Sequence, residues 1–580
     1  MEALIARIRT ELAPFPGRMD AVWRLLASCT VVIVCSMTLQ LPLLSLSLIM
    51  VFFTAQENTV LTRMSATALL TGSTLAVIAS IVLLKFTLDV PLLRILGAGL
   101  VAFCGMYFFR TSKLGAIGFL VALLVVNAQG MADYYSDPET LIRSQLWVWV
   151  ATTYPVVVTL AIQRLFRPAL PVKLLVEEYV RQLDEVEHQL DARIAGRTPP
   201  ALHSGRVGRG VLAVQRQLAF AALGNAERTK ARAAAVSRLH AAAAQLARQA
   251  LFEPTQEERA QMRSIRDACA SLRACLGHDA PFDAAAALSA GGMAGALGTA
   301  RAHGAILREM ERALRAAADA GSSDSAGAAN QADRAGAASS PHRHLVYAQF
   351  AFKTVLAAMI TYIIYTGLQW PGIGTAMQTC IILALPSLGA TTHKGINRLL
   401  GCCLGSLAAL VATVFVVPHL ESIVGLLGMA LPIIAAGAWI AVGSPRSNYI
   451  GVQMMFAFAL AQLGSFGPVT DLTEIRDRLV GILLGLAVSV TVYTLLWPER
   501  EGQALRTALS RLRKAVAACA HASQHELGAA RLQAWALLNQ CRELHARVAL
   551  EPGWRDRNSR RIANVLAQAE EKLLAQRVSP

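Results

Sequence analysis

From Met64 to Leu84 the chain carries no charged side chain, and from Gly395 to Val417 Arg398 is the only one. About 20 apolar residues in helical form cross a hydrocarbon core, where each backbone polar group must bond within its own segment. Runs of this kind fill two blocks, residues 22–166 and 346–497. With 54% hydrophobic residues and a mean hydropathy of +0.45, the 580-residue chain is too apolar for an ordinary soluble protein. It is an integral membrane protein.

Each block divides at its turn residues. The first gives Trp23–Leu41, Leu43–Phe53, Met64–Leu84, Pro91–Phe109, Leu114–Gly130 and Leu146–Phe166, separated by Pro42, by Asp89 with Pro91, and by the polar stretch Ala132–Arg143. Leu43–Phe53 is short for a span. The second gives Val346–Leu368, Ile373–Pro386, Gly395–Val417, Ser422–Val442, Tyr449–Gly464 and Leu479–Trp497. The basic start at Arg7, Arg9 and Arg18 leads into an apolar stretch too long for a signal peptide and lacking a small-residue cleavage site, so Trp23–Leu41 is expected to stay in the mature protein.

Between and after the blocks the texture changes. Leu175, Tyr179, Leu183, Val186, Leu190 and Ile194 recur at helical spacing among charges, and Leu505, Leu509, Leu512, Val516 and Cys519 form a second stripe. Both patterns are amphipathic helices with one face on a partner and one in water. The stretch GSSDSAGAANQADRAGAASS lacks large apolar residues and reads as a linker. The expected order is a cytosolic segment 1–22, a first transmembrane bundle 23–167, a cytosolic helical domain 168–320, a flexible linker 321–345, a second bundle 346–497 and a cytosolic helical C-terminal region 498–580.

The two blocks read as one unit used twice. At a shift of 333, Ile117, Gly118, Ala128, Gln129, Ile142, Arg143 and Leu146 fall on Ile450, Gly451, Ala461, Gln462, Ile475, Arg476 and Leu479. The glutamine and arginine matches are the informative ones, because apolar coincidences are common in such helices. An even number of spans makes this a parallel repeat. The fold class expected is all-α membrane protein: two repeated six-helix bundles, about 12 spans, with helical cytosolic regions after each.

A net charge of +16 raises nucleic acid as a partner. Basic residues without aromatic interleaving or a finger motif fit cytoplasmic loops better, and no nucleic-acid partner is expected. A start inside puts Arg63, Arg110, Lys113, Arg164, Arg167, Lys173, Lys394, Arg398 and Arg446 in the cytoplasm and Asp133, Asp137 and Glu139 outside. Lys85, Arg94 and Arg143 dissent from span ends, from which charges snorkel. Both termini are then cytoplasmic. The ten cysteines show no metal-ligand or disulfide spacing, and no phosphate-cradling GxxxxGK[ST] motif occurs. No metal, cofactor or enzymatic activity is expected.

Chemistry concentrates at two polar hinges, Leu39–Arg63 and Leu368–Arg398. Polar groups inside a membrane need water, a partner or a ligand. Glu57 is the proton-coupling candidate, the only acidic residue between Asp20 and Asp89. It is alternatively a counter-charge to Arg63, or a hydrated group at the cytoplasmic mouth. Arg63 and Arg398 are candidates for holding a substrate anion, or are topology anchors. Gln40, Gln56, Asn58, Gln129, Gln369, Gln462 and His393 are candidates for lining a path, as Asn127, Gln378 and Gln453 are. Such groups also pair across helices. Arg143 and Arg476 are candidates for a periplasmic loop site, or for loop ion pairs such as Arg476 with Asp471 or Glu474. Lys353 is expected to snorkel, and the glycines of 97–105 and 401–405 to serve packing.

The strings AVWRLL, LSLSLIMVFFTAQENTVLTR and LPSLGATTHKGINRLLGCCLG, within this architecture, resemble the fusaric acid resistance, or aromatic acid exporter, family of bacterial inner-membrane proteins. The TAQEN segment and the length resemble its multidrug-resistance subgroup. The resemblance implies export of aromatic carboxylic acids or amphipathic drugs through a periplasmic adaptor protein and an outer-membrane channel. Without a nucleotide motif the proton gradient is the expected energy source. Membrane lipid, small organic anions or drugs, and a second copy of the chain are the other partners considered. The alternatives are a passive organic-anion channel, since plant malate channels share a similar helical plan, and a non-transporting membrane scaffold.

Overall fold

A computed structural model describes residues 12, 17–56, 59–133, 137–166, 171–197, 254–278, 282–289, 302–322, 341–444, 446–464, 466, 467, 472–521, 524–551, 554 and 556–575, with 235, 236, 238–240, 242, 243, 246 and 247. Among these residues every regular element is a helix. The first block forms α1 (Arg18–Leu39), α2 (Leu44–Thr54), α3 (Thr59–Thr87), α4 (Pro91–Thr111), α5 (Gly115–Met131) and α6 (Pro138–Leu165). Then come α7 (Pro171–Ile194), α8 (Gln256–His278), α9 (Ala284–Ser289) and α10 (Ala302–Ser322). The second block forms α11 (Pro341–Gly367), α12 (Thr375–Leu383, after a 3-10 turn at Pro371–Gly374), α13 (Leu388–Phe415), α14 (Ile423–Ala441), α15 (Asn448–Gln462) and α16 (Thr473–Leu495). The tail is α17 (Gly502–His521), α18 (Gln524–Val548) and α19 (Asp556–Ala575).

Eight of these helices, α1, α3, α4, α6, α11, α13, α14 and α16, are long and apolar enough to cross a membrane. The remaining four of the two blocks are shorter. At 1.5 Å per residue, α2 reaches about 16 Å, α5 about 26 Å, α12 about 14 Å and α15 about 22 Å, against a hydrocarbon core of about 30 Å. Eight helices therefore meet the length requirement where about 12 spans were expected.

The short helices follow from how their neighbours stop. Gln40, after α1, is left-handed at φ 51°, and Leu41 N–H donates to Ser36 O at 2.9 Å. Gln369, after α11, is also left-handed at φ 51°, and Trp370 N–H donates to Tyr365 O at 3.0 Å. This six-to-one bond is the Schellman stop, which glycine usually provides. Pro42 and Pro371 follow, so neither helix can resume in line.

Packing within the two blocks runs in parallel. The third helix lies on the fifth and sixth in each, α3 on α5 and α6, and α13 on α15 and α16. The second lies on the sixth, α2 on α6 and α12 on α16. Across the blocks α1 packs on α14 and α11 on α4, while α2 packs on α15 and α12 on α5. Two glycine pairs allow close approaches at matching places. A Cβ on Gly105 or Gly118 would strike the other's carbonyl oxygen between α4 and α5, and between α14 and α15 a Cβ on Gly451 would strike Gly437 O and one on Gly437 the Met455 side chain. Outward faces are apolar stripes: Leu75, Ile78, Val82 and Phe86 on α3, and Leu400, Leu404, Leu407, Val411 and Val414 on α13 are exposed. Lipid is the solvent that such faces fit.

Contacts divide the chain into two compact units, Met1–Ala169 with Ala337–Arg500, and Leu170–Gly336 with Glu501–Pro580. In the second unit Leu175, Tyr179, Leu183, Val186 and Leu190 are buried in one core with residues of α8 and α10. Leu505, Leu512, Val516 and Cys519 are buried in another with Trp535, Leu538 and Cys541 of α18. Two buried polar side chains there are paired: Arg238 meets Glu309 at 2.8 Å and the His240 ring meets Glu185 at 2.7 Å.

Several boundaries differ from the sequence reading. Helix α1 begins at Arg18, inside the segment assigned to the cytosol, and Arg18 is buried, donating to Trp439 O with its guanidinium 4.3 Å from the Trp439 ring. Helix α11 begins at Pro341, within the stretch read as linker. Arg143 and Arg476 belong to helices rather than loops, because Asp137 caps α6 by accepting from Thr140 N–H at 2.9 Å and α16 starts at Thr473.

Candidate functional site

Helix α13 starts with Ser387, whose hydroxyl accepts from Ala390 N–H at 3.1 Å. Counting by helical turns from there, Lys394, Arg398, Gly401 and Gly405 share one face. A Cβ on Gly401 would strike Ile450 O, and one on Gly405 Met454 O, so α13 and α15 lie nearly backbone to backbone. That closeness buries Arg398 to 2% exposure.

The Arg398 guanidinium is dressed by neutral groups. Its Nη1 donates to Gln453 Oε1 at 2.8 Å and to Tyr449 Oη at 3.1 Å, and it stands 5.8 Å from the Phe456 ring. Its Nε is buried with no acceptor, as is Gln453 Nε2. One turn earlier, Lys394 Nζ donates to Ile382 O at 2.6 Å and lies 5.2 Å from the Tyr449 ring. Arg478 of α16 adds two more buried nitrogens without an acceptor, Nε and Nη1. Arg398 opposes its charge and the exposed Glu474, one turn before it on α16, favours it.

Among the described residues no carboxylate forms an ion pair with Lys394, Arg398 or Arg478. Removing an unpaired charge from water costs several kcal/mol. Arg398 of α13 and Arg478 of α16 thus keep donors without acceptors, and Lys394 adds a third cation on α13.

Glu57 and Asn58, singled out in the sequence, lie outside the described residues. Arg63 is exposed on the first turns of α3, whereas Arg398 is buried, so the two hinges present different chemistry. Gln40 and Gln369 are exposed and act as helix stops. Gln56 is half-buried, with Nε2 donating to Phe53 O at 2.8 Å and its N–H to Thr62 Oγ1 at 3.2 Å. Gln462 Nε2 donates to Ala409 O at 3.0 Å and Thr413 Oγ1 at 2.6 Å. Gln129 is buried among Ile95, Ala98, Val126, Met359, Tyr362 and Met377, and its Nε2 has no acceptor. His393 is half-buried beside Lys394 on α13. Asn127 Oδ1 accepts from Gln378 Nε2 at 2.5 Å, an amide pair between the two blocks.

Arg143 pairs with Glu139 at 2.9 Å on the surface of α6, as the ion-pair alternative had it but within a helix. Two placements correct the sequence reading. Arg476 pairs with Asp477 at 2.8 Å, not with Glu474, and lies 5.4 Å from the Trp370 ring. Lys353 does not snorkel: it is 1% exposed, donates to Trp497 O at 3.0 Å and lies 3.7 Å from Glu499 Oε1. The residue missed was Arg478, which the expected span Leu479–Trp497 leaves just outside. The signal for it was the helical register that places it one residue before the apolar run from Leu479.

The fusaric acid resistance protein family model matches residues 347–414 and 399–567. Over 566 residues the chain is 32% identical to multidrug resistance protein MdtO of Escherichia coli K12, covering 92% of this chain and 78% of the relative. MdtO of Escherichia coli O157:H7 is 31% identical and that of Shigella flexneri 32%, with the same coverage. No solved structure matches the chain significantly. Arg398 and the α13 stripe fall within the family match, and with near-complete coverage by the MdtO proteins the chain belongs to the fusaric acid resistance protein family, in its multidrug-resistance subgroup.

Proposed function

We propose that this protein is the inner-membrane component of an efflux system that exports small organic anions, aromatic carboxylic acids and amphipathic drugs among them. The observation that carries this reading is Arg398, 2% exposed and held by Tyr449 and Gln453 with no acid paired to it among the described residues. A fixed positive charge inside an apolar bundle favours an anion over a neutral or cationic solute. The relatives are named multidrug resistance proteins, which supports the drug branch of the proposal.

The transport unit in this reading is two six-helix repeats, about 12 membrane segments, with both termini in the cytoplasm. Support comes from the exchanged packing of α1 on α14 and α11 on α4, and from the glycine pairs Gly105–Gly118 and Gly437–Gly451, which sit 332 and 333 residues apart in sequence (437 − 105 and 451 − 118). The proton gradient drives export, with Glu57 as the coupling carboxylate, and a periplasmic adaptor and outer-membrane channel complete the path. Resistance of a susceptible strain to an aromatic carboxylic acid tests the function. The intact chain, expressed with its adaptor and channel, is expected to raise the tolerated concentration at least fourfold, and Glu57→Gln to remove the gain at equal protein level. Tolerance equal to that of an empty vector overturns the proposal.

A further inference from the structure

Arg478 takes no part in the hydrogen bonding that holds Arg398, yet it faces the same place from another helix. Arg398 lies one helical turn before Cys402 on α13, and Arg478 lies one residue before Leu479 and one turn before Ile482 on α16, both of which pack with Cys402. Cys402 also packs with Ala457 of α15 and Ile482 of α16, with Leu479 against them, so three helices meet beside the arginines on an apolar wall. The unmatched donors Arg398 Nε, Gln453 Nε2 and Arg478 Nε and Nη1 come from these same three helices. Arg398 and Gln453 are each 2% exposed.

Buried nitrogens without acceptors are rare in folded proteins, and each costs about 1–3 kcal/mol when left unmade. Two like charges on adjoining helices add repulsion, offset at Arg478 by the exposed Glu474, and no carboxylate among the described residues forms an ion pair with either. One bound anion would remove both penalties, accepting from nitrogens on three helices and sitting between the charges. A carboxylate has the acceptor oxygens for this, and the wall of Cys402, Ala457, Leu479 and Ile482 suits the apolar body that carries it.

We propose that Arg398, Arg478 and Gln453 form one carboxylate site in which a single carboxylate bridges the two arginines and takes Gln453 Nε2 as a further donor. This deepens the exporter reading and rests on it for the meaning of the site: Arg398 attracts the anion, while Arg478 fixes it and decides that the group is a carboxylate on an apolar body. Arg478 is a binding residue whose charge opposes that of Arg398 until the ligand arrives.

The test is thermal unfolding of the purified full-length protein in detergent at constant ionic strength, with benzoate, its neutral counterpart benzamide, chloride or inorganic phosphate as probes. Benzoate is expected to raise the midpoint by several degrees through ligand linkage, and benzamide to leave it unchanged. Arg478→Gln is expected to raise the midpoint without ligand, because repulsion is relieved, and to abolish the benzoate rise. Arg398→Gln is expected to abolish the rise as well. A lower ligand-free midpoint for Arg478→Gln together with an intact benzoate rise overturns the site, since Arg478 would then be structural. Equal rises with chloride or phosphate and benzoate overturn the carboxylate assignment and leave a general anion site. Where Arg398→Gln loses the benzoate rise and Arg478→Gln keeps it, the bridging proposal fails and the exporter reading stands. Resistance lost by neither variant overturns the exporter reading separately from binding.

Discussion

Arg110, at the end of α4, and Glu499, beyond the end of α16, form an ion pair at 2.9 Å that joins the first block to the second. Lys353 of α11 lies 3.7 Å from the same carboxylate oxygen, and the Arg110 guanidinium stands 4.9 Å from the Phe350 ring. One carboxylate thus balances two cations, one of them 1% exposed. Removing it leaves Lys353 buried and uncompensated, so Glu499→Gln is expected to destabilise the protein by about 2 kcal/mol or more. Glu499→Gln with Lys353→Met is expected to recover most of the loss. Thermal midpoints of the single and double variants in detergent measure this, and equal loss in both contradicts the account.

At the other end of α4, Arg94 meets Asp133 at 2.5 Å, and Tyr362 of α11 donates to the same carboxylate at 2.9 Å. The Arg110 and Arg94 clusters therefore hold α4 to the second block at both ends. Tyr362→Phe removes one hydrogen bond to a charged acceptor, a loss of about 1.5–3 kcal/mol. Faster hydrogen exchange at the C-terminal end of α11 than in the intact chain is the expected outcome.

The glycine pair of α14 and α15 has no room for a side chain. Gly451→Leu is expected to cost about 1–3 kcal/mol or to prevent assembly, by forcing the helices apart. Gly428, on α14, faces open space, with nothing within 4 Å of where a Cβ would stand, so Gly428→Ala is the control and should be neutral. Membrane-inserted protein recovered in monodisperse form is the readout for both.

In the tail of the second unit, burial pushes the His545 imidazole below its ordinary value, opposed by a hydrogen bond to the Ser559 backbone, while its Nε2 also lies 2.9 Å from the Ser559 hydroxyl. The folded state then holds His545 neutral. As pH falls below about 6.5 the unfolded chain takes up the proton first. The contribution is present above that pH and is lost as pH falls toward the depressed folded value. Protection factors over α18 and α19 in the full chain, corrected for the intrinsic exchange rate at each pH, should fall between about pH 7.5 and 5.5, the range that brackets an ordinary imidazole, and His545→Gln should flatten that dependence.

Much of the architecture was legible because lipid and packing impose simple periodicities. Leu175, Tyr179, Leu183, Val186 and Leu190 are buried as their spacing required, and the Gln-Pro breaks at Gln40 and Gln369 mark matching helix stops. The hinge arginines were not separable, since Arg63 and Arg398 look alike in sequence. Their difference lies in Gly401 and Gly405, which draw α13 against α15 and bury one of them. Arg478 was hidden for a related reason: whether a charge at a span's edge belongs to a loop or to a helix turns on where the helix starts, and that start is fixed by packing. Spacing likewise could not place Lys353, whose partners Trp497 and Glu499 lie in another part of the chain.

The most direct measurement is uptake of a radiolabelled aromatic carboxylate into everted membrane vesicles carrying the intact chain or Arg398→Gln at equal level. The account predicts accumulation with the intact chain under an imposed proton gradient and at least a tenfold loss with Arg398→Gln, about 1.4 kcal/mol or more of lost anion stabilisation. Accumulation by the Arg398→Gln variant at the rate of the intact chain would contradict it.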